Sequence, residues 1–226
     1  MIVRIPRVLD TPALSAIDTL VREASWEDGR ATAGFQSAQV KHNLQLAQDS
    51  PAARQAGDII VRALGHHPDF ISAALPRHVY PPLFNRYEPG MSFGAHVDNA
   101  VRQVPGTHHR LRIDVSVTLF LSAPEDYDGG ELVIEDTFGA HAVKLAAGDM
   151  VIYPASSLHK VQPVTRGVRG AAFFWVQSMV RDDAARTLLF EMDTAIRELT
   201  ASSADGGALL RLAGCYHNLL RHWADV

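Results

Sequence analysis

The stretch GMSFGAHVDNA, residues 90–100, sets His96 and Asp98 two positions apart, just after a turn rich in glycine. On an extended chain, residues two apart lie on one face, so an imidazole and a carboxylate are aimed at the same point. Such triplets also arise by chance in surface loops, so a third group has to decide between a metal site and a loop. His159, in YPASSLHKVQPV, is that group. Two histidines and one carboxylate form the facial triad that holds non-haem Fe(II) and leaves coordination positions open. A closed structural zinc site would want a fourth protein ligand. The single cysteine, Cys215, lies far along the chain in a helical stretch and does not supply it.

Arg169, in TRGVRGAAFFW, adds a second kind of chemistry. A guanidinium offers a planar fork to a carboxylate, and an inward arginine without a partner is costly. If segments 161–164 and 168–176 pair as neighbouring strands, Arg169 stands beside the metal. There it could take the distal carboxylate of 2-oxoglutarate while the keto-acid end chelates iron. Ala171 and Phe173 follow on the same face and suit a pocket wall. The bland alternative is a structural salt-bridge arginine.

These groups need rigid elements to hold them. Residues 2–5 read as a short strand. LDTPALSAIDTLVREASW reads as a helix capped by Asp10 or Thr11, with Pro12 in its first turn. QDSPAARQAGDIIVRALGHH repeats that grammar, with Ser50 as cap and an end near Gly65. From about residue 78 the texture changes. RLRIDVSVTLFLS alternates, with Leu111, Ile113, Val115, Val117, Leu119 and Leu121 on one face. Arg110, Arg112, Asp114, Ser116 and Thr118 take the other face. EDYDGGELVIED turns into a further strand, and HAVKLAAGDMVIYP holds two strands around Gly148-Asp149. SLHKVQPVTRGVRGAAFFWVQSMV reads as two strands joined near Arg166-Gly167. Short strands and turns at this spacing suggest a sandwich or jelly roll. Beyond residue 180 the period is helical. Leu188, Met192, Ile196 and Leu199 form one stripe and Leu209, Leu212, Tyr216, Leu219 and Trp223 a second, with SSADGG breaking between them. The expected fold class is α+β, with an oxygenase domain over 1–179 and a C-terminal helical extension over 180–226.

The strings HVDN, TLFLS, GGEL and LHKVQPVTRGVR, in that order, resemble the prolyl- and lysyl-hydroxylase type of Fe(II)/2-oxoglutarate oxygenase. YDGGELVIED, VKLAAGDMVIYPASSLHKVQPVTRGVRGAAFFWVQSMVRDD and the helical tail look like the bacterial PKHD-type, PiuC-like hydroxylases over nearly the whole chain. The resemblance implies a double-stranded β-helix (jelly roll) with N-terminal supporting helices and a C-terminal helical pair. It gives the metal roles to His96, Asp98 and His159, and the 2-oxoglutarate role to Arg169. Tyr87, in NRYEPG, falls where related oxygenases place a cosubstrate-binding tyrosine, and Asn85 shares its face. Ser116 and Thr118 are further candidates for the pocket lining. The cofactors implied are Fe(II) and 2-oxoglutarate as cosubstrate, with ascorbate left open. Dioxygen and an unidentified prime substrate complete the partners, and the products are a hydroxylated substrate, succinate and carbon dioxide. No side chain need act as a general acid or base.

Composition sets the frame around this. The chain has 226 residues, 47% hydrophobic and 20% charged, which suits one folded domain with a small appendage. A net charge of −4 argues against a nucleic-acid partner. No apolar run is long enough for a membrane span. The opening MIVRIPRVLD lacks the apolar core of a secretory signal, so a cytoplasmic location is expected. Most of the eleven histidines are bystanders, including His66, His67, His108, His109, His141, His217 and His222. The run FFW at 173–175 is expected in the core. The apolar tail makes a homodimer an expectation, and the loop 99–109 and QSAQVKHNLQ are candidates for substrate contact.

Three alternatives stay open at this point. One is a sensor that binds iron and 2-oxoglutarate without turnover. Another is an AlkB-type nucleic-acid dealkylase, although KVQPVTRGVRGAAFF lacks the second arginine pattern expected there. The third is a cupin-like enzyme, which would favour more histidine ligands.

Overall fold

The computed structural model describes residues 1–32, 34–202 and 206–226. Two antiparallel sheets face each other. The major sheet runs Val3–Ile5, Met150–Pro154, Val115–Phe120, Arg169–Ser178, Leu83–Tyr87, Leu44–Leu46, Trp26–Asp28, with Pro76–Val79 also paired to Arg169–Ser178. The minor sheet runs Gly139–Val143, Leu132–Asp136, His159–Val161, Ser92–His96, Lys41–His42. This is the antiparallel double-stranded β-helix expected of the sequence, with N-terminal helices and a C-terminal helix pair.

Alternation on the central strand Val115–Phe120 explains the layering. Val115, Val117 and Leu119 point out of the sandwich into one core with Ile17 and with Ala53, Ala56, Ile60 and Leu64. Those residues come from the helices Thr11–Arg22 and Pro51–Gly65. Each helix starts as its sequence predicts. Asp10 accepts from the Ala13 amide at 2.9 Å and Ser50 from the Ala53 amide at 3.1 Å, each with proline in the first turn. On the opposite face Phe120 joins Leu132, Ile134, Val143, Val151 and Val161 between the two sheets. Ser116 and Thr118 point the same way as Phe120, into a cavity at one end of the sandwich.

Several expectations need correction. The long alternating run is broken: Arg110–Arg112 pairs with Val101–Gln103 in a separate hairpin, and only Val115–Phe120 enters the major sheet. The segments on either side of Arg166-Gly167 do not pair with each other. Val164–Gly167 pairs with Tyr127–Gly129, whereas Arg169–Ser178 crosses into the major sheet. Gly167, at φ 71°, makes the turn that sends the chain across. The strands Trp26–Asp28, Lys41–His42 and Leu44–Leu46 were not foreseen, because two or three residues are too few to show a period.

The C-terminal helices are Asp183–Ala201 and Gly206–Trp223, the first capped by Asp182, which accepts from the Ala185 amide at 2.7 Å. Residues 203–205 of the SSADGG breaker lie outside the described residues. Leu189 and Ala185 pack against Tyr216, Leu219, Leu220 and Trp223, so the start of one helix meets the end of the other. The first predicted stripe is rotated from the real one, since Leu188 and Leu199 are exposed. The helix also answers to Pro68–Ala74, where Arg197 bonds Asp69 at 2.7 Å, and that contact helps set which side faces inward. No helix among the described residues is long and apolar enough to cross a membrane.

Candidate metal and cosubstrate site

His159 lies directly across from His96 in the pairing of His159–Val161 with Ser92–His96. Asp98 lies just past the end of that second strand. The ligand atoms of His96, Asp98 and His159 all fall within 4.8 Å of one another, and His159 Nε2 is 3.8 Å from Asp98 Oδ2. The sequence spacing and the sheet register therefore bring the three predicted groups to one point.

The surroundings of each group prepare it for a cation. His96 Nδ1 lies 2.8 Å from the Gly94 carbonyl and His159 Nδ1 lies 3.0 Å from the Ser157 carbonyl. A carbonyl only accepts, so Nδ1 carries the hydrogen in both rings and each Nε2 lone pair is left for a metal. Burial, and then the neighbouring His159, hold the His96 imidazole down at about 4. It is thus neutral, the form that ligates metal. Phe93 stacks on the His96 ring with centroids 3.6 Å apart and fixes its plane. Ser116 donates to Asp98 Oδ2 at 2.6 Å, orienting the carboxylate from the major sheet. Two imidazole nitrogens and one carboxylate are a donor set that suits Fe(II).

Arg169 comes from the opposite sheet, where it lies across from Tyr87. It is 1% exposed. Its guanidinium carbon is 5.3 Å from the Tyr87 ring and 5.3 Å from the Phe120 ring. None of Nε, Nη1 and Nη2 meets hydrogen-bond geometry with a partner among the described residues, and the Tyr127 phenol stands close by, pushed up by burial and pulled back by the Arg169 charge. Tyr87 is equally buried. Burial pushes its phenol up while the Arg169 charge pulls it back. The GGEL turn is shaped around this arginine. Gly129 and Gly130 have φ of 70° and 68°, and a Cβ on Gly130 would press on Arg169 Cδ at 3.0 Å.

The triad and Arg169 line one cavity between the two sheets. Ser116, Thr118 and Asn85 line it too, and Asn85 Oδ1 has no partner among the described residues. Sequence reasoning missed Tyr153. It faces the cavity opposite Ser116, and burial, with the Asp98 carboxylate adding to it, holds its phenol well above its usual value. It also missed Asn43 and Gln45, buried amides brought in by the short strands after residue 40. No period marked those strands, and only the stretch QSAQVKHNLQ, picked out for substrate contact, hinted at them. The FFW run divides by alternation. Phe174 packs in the outer core, whereas Trp175 and Phe173 pack in a separate cluster with Tyr80 and Leu111, and all three reach the cavity wall.

Comparison with known proteins agrees with this layout. Residues 82–177 match the 2OG-Fe(II) oxygenase superfamily, and residues 183–225 match the PKHD-type hydroxylase C-terminal domain. The chain is 63% identical over 228 residues to a PKHD-type hydroxylase of Burkholderia ambifaria, covering the whole of both chains. It is 57% identical over 226 residues to the PKHD-type hydroxylase PiuC of Pseudomonas aeruginosa, again over both full lengths. Among solved structures, a prolyl-4-hydroxylase of Pseudomonas putida superposes with a TM-score of 0.53 at 20% identity, over 78% of this chain and 92% of the other. The viral collagen prolyl hydroxylase of Paramecium Bursaria Chlorella virus-1 gives 0.53 at 16% identity, over 78% and 95%. These two share the fold.

Proposed function

This chain belongs to the PKHD-type hydroxylases and is an Fe(II)- and 2-oxoglutarate-dependent hydroxylase, and from that premise we propose which of its residues do the work. His96, Asp98 and His159 hold the iron. Arg169 takes the distal carboxylate of 2-oxoglutarate, and Tyr87 lines that end of the site. The observation that carries the cosubstrate assignment is the state of Arg169: a guanidinium 1% exposed, walled by two aromatic rings, with no partner for any of its nitrogens among the described residues. A buried unpaired charge costs several kcal/mol, and a carboxylate entering the cavity offsets that cost with two parallel hydrogen bonds.

Iron bound there would supply dioxygen activation coupled to decarboxylation of 2-oxoglutarate, giving succinate, carbon dioxide and a hydroxylated substrate. The chain's own residues bind, orient and keep water out. Gly94 and Ser157 carbonyls fix the two imidazoles, Ser116 fixes the carboxylate, and Phe93 and Phe120 supply apolar walls. No side chain here needs to gain or lose a proton.

The prime substrate falls in one of two classes, a peptidyl residue or a small molecule tied to iron acquisition. On this reading residues 1–179 form the catalytic unit and 180–226 an extension that braces it. The lone cysteine suits a reducing cytoplasm. Exposed Leu199, Leu210 and Leu212 on the tail favour a second copy as partner, and sedimentation equilibrium of a Leu210→Glu variant tests that.

The decisive experiment for the site is turnover without prime substrate. Parent protein given Fe(II), ascorbate, oxygen and 2-oxoglutarate should release succinate. Arg169→Ala should need far more 2-oxoglutarate while still binding metal. Binding of both ligands with no succinate would favour the sensor, and unchanged cosubstrate affinity in the variant would reject the Arg169 role.

A further inference from the structure

The cavity holds two cations that neither the metal nor the cosubstrate uses. Lys41, 6% exposed, points in from the edge of the minor sheet, where it pairs with Phe93. Arg102 points in from the hairpin Val101–Gln103. Thr32 holds them together. Its hydroxyl accepts from Lys41 Nζ at 3.0 Å and its carbonyl from Arg102 Nη2 at 3.3 Å. Among the described residues neither cation has a carboxylate within salt-bridge distance. Arg112 on the partner strand of the same hairpin shows the contrast, since it bonds Asp114 at 2.7 Å.

Aromatic rings surround the pair. Lys41 Nζ is 5.2 Å from the Phe93 centroid and 5.7 Å from that of Phe173, and the Arg102 guanidinium is 4.1 Å from Trp175. Such faces repay only part of the lost hydration. Burial, with the Arg102 charge adding to it, pushes the Lys41 ammonium down to about 8, as expected of like charges held together.

Charge bookkeeping separates this pair from the cosubstrate. Asp98 is the one carboxylate among the described residues lining the cavity. An iron dication, Asp98, a dianionic 2-oxoglutarate and Arg169 cancel among themselves. The charges of Lys41 and Arg102 are left over, in an aromatic enclosure, with most of their N–H donors unused.

We propose that the prime substrate carries an anionic group, a carboxylate or its equivalent, which Lys41 and Arg102 bind while Phe93, Phe173 and Trp175 wall the organic part beside it. This rests on the hydroxylase reading above and narrows its substrate class.

The test uses two matched probes, 3-phenylpropanoate and the neutral 3-phenylpropanamide. Each is titrated by ligand-observed NMR and calorimetry into full-length protein loaded with Mn(II) or Zn(II) and saturating 2-oxoglutarate. The carboxylate should bind at least about tenfold tighter than the amide. Lys41→Met and Arg102→Gln should each bring the carboxylate close to the amide, with 2-oxoglutarate affinity held within about twofold. Arg102 is partly exposed, so its variant keeps the test alive if Lys41→Met does not fold. Three results overturn the proposal: no preference for the carboxylate, including no binding by either probe; a carboxylate that displaces 2-oxoglutarate; or loss of 2-oxoglutarate in the Lys41 or Arg102 variant. The hydroxylase reading fails on a different measurement, binding of Fe(II) and 2-oxoglutarate by the parent protein with no release of succinate.

Discussion

Arg186, in the first turn of the long C-terminal helix, and Arg169, on the strand opposite the triad, are buried alike, at 2% and 1% exposure. Their partners differ completely. Arg186 donates to the Val180 carbonyl at 2.7 Å, the Arg181 carbonyl at 2.8 Å and Asp183 Oδ1 at 3.0 Å. Arg169 donates to none of the described residues. Depth therefore does not tell a structural arginine from a binding one, but the hydrogen-bond inventory does. In the tail the fold supplies acceptors to both terminal nitrogens of the guanidinium. In the cavity no carboxylate or carbonyl of the described residues meets the Arg169 guanidinium, and on the proposed reading the cosubstrate supplies the missing acceptor.

That contrast can be broken most sharply at the metal end of the cavity. His96→Ala and His159→Ala should abolish stoichiometric Fe(II) binding in an anaerobic titration, because two remaining ligands hold the ion poorly. A variant that binds iron as the parent does removes that residue from the ligand set. Next in size, Arg169→Ala should weaken 2-oxoglutarate binding by about 2–5 kcal/mol in calorimetry. Arg169→Met should also melt no lower than the parent without cosubstrate, since it removes an uncompensated charge. Arg186→Met should do the reverse. It strands the Val180 and Arg181 carbonyls and should cost about 2–4 kcal/mol in denaturant unfolding, with 2-oxoglutarate affinity unchanged. If both arginine variants lose stability alike, the distinction collapses. The smallest effect belongs to Ser116→Ala, which frees Asp98 to turn and should weaken metal binding about 10–100-fold with no loss of fold by circular dichroism.

Much of the site was legible in the sequence. His-X-Asp has a spacing that works on any extended chain, and the alternation of Ser116 and Thr118 against Val115, Val117 and Leu119 showed which face would line a cavity. Asp10-Pro12 and Ser50-Pro51 marked two helix starts. Arg169 is legible because an inward arginine demands an anionic partner. Its pairing was misjudged, because the crossover at Gly167 depends on which sheet the strand finds and leaves no local mark. Lys41, Asn43 and Gln45 enter on segments of two or three residues, too short for a period. Arg102 sits on a hairpin that reads as a loop.

The sequence by itself determined the ligand types, the strand faces and the capped helix ends, because side-chain chemistry and backbone preference act over a few neighbouring residues. The tertiary structure alone decided that His96 stands opposite His159, that Arg169 arrives from the facing sheet without an acceptor, and that Lys41 and Arg102 share Thr32. Those are distances between residues remote along the chain, and only the register and packing of two sheets set them.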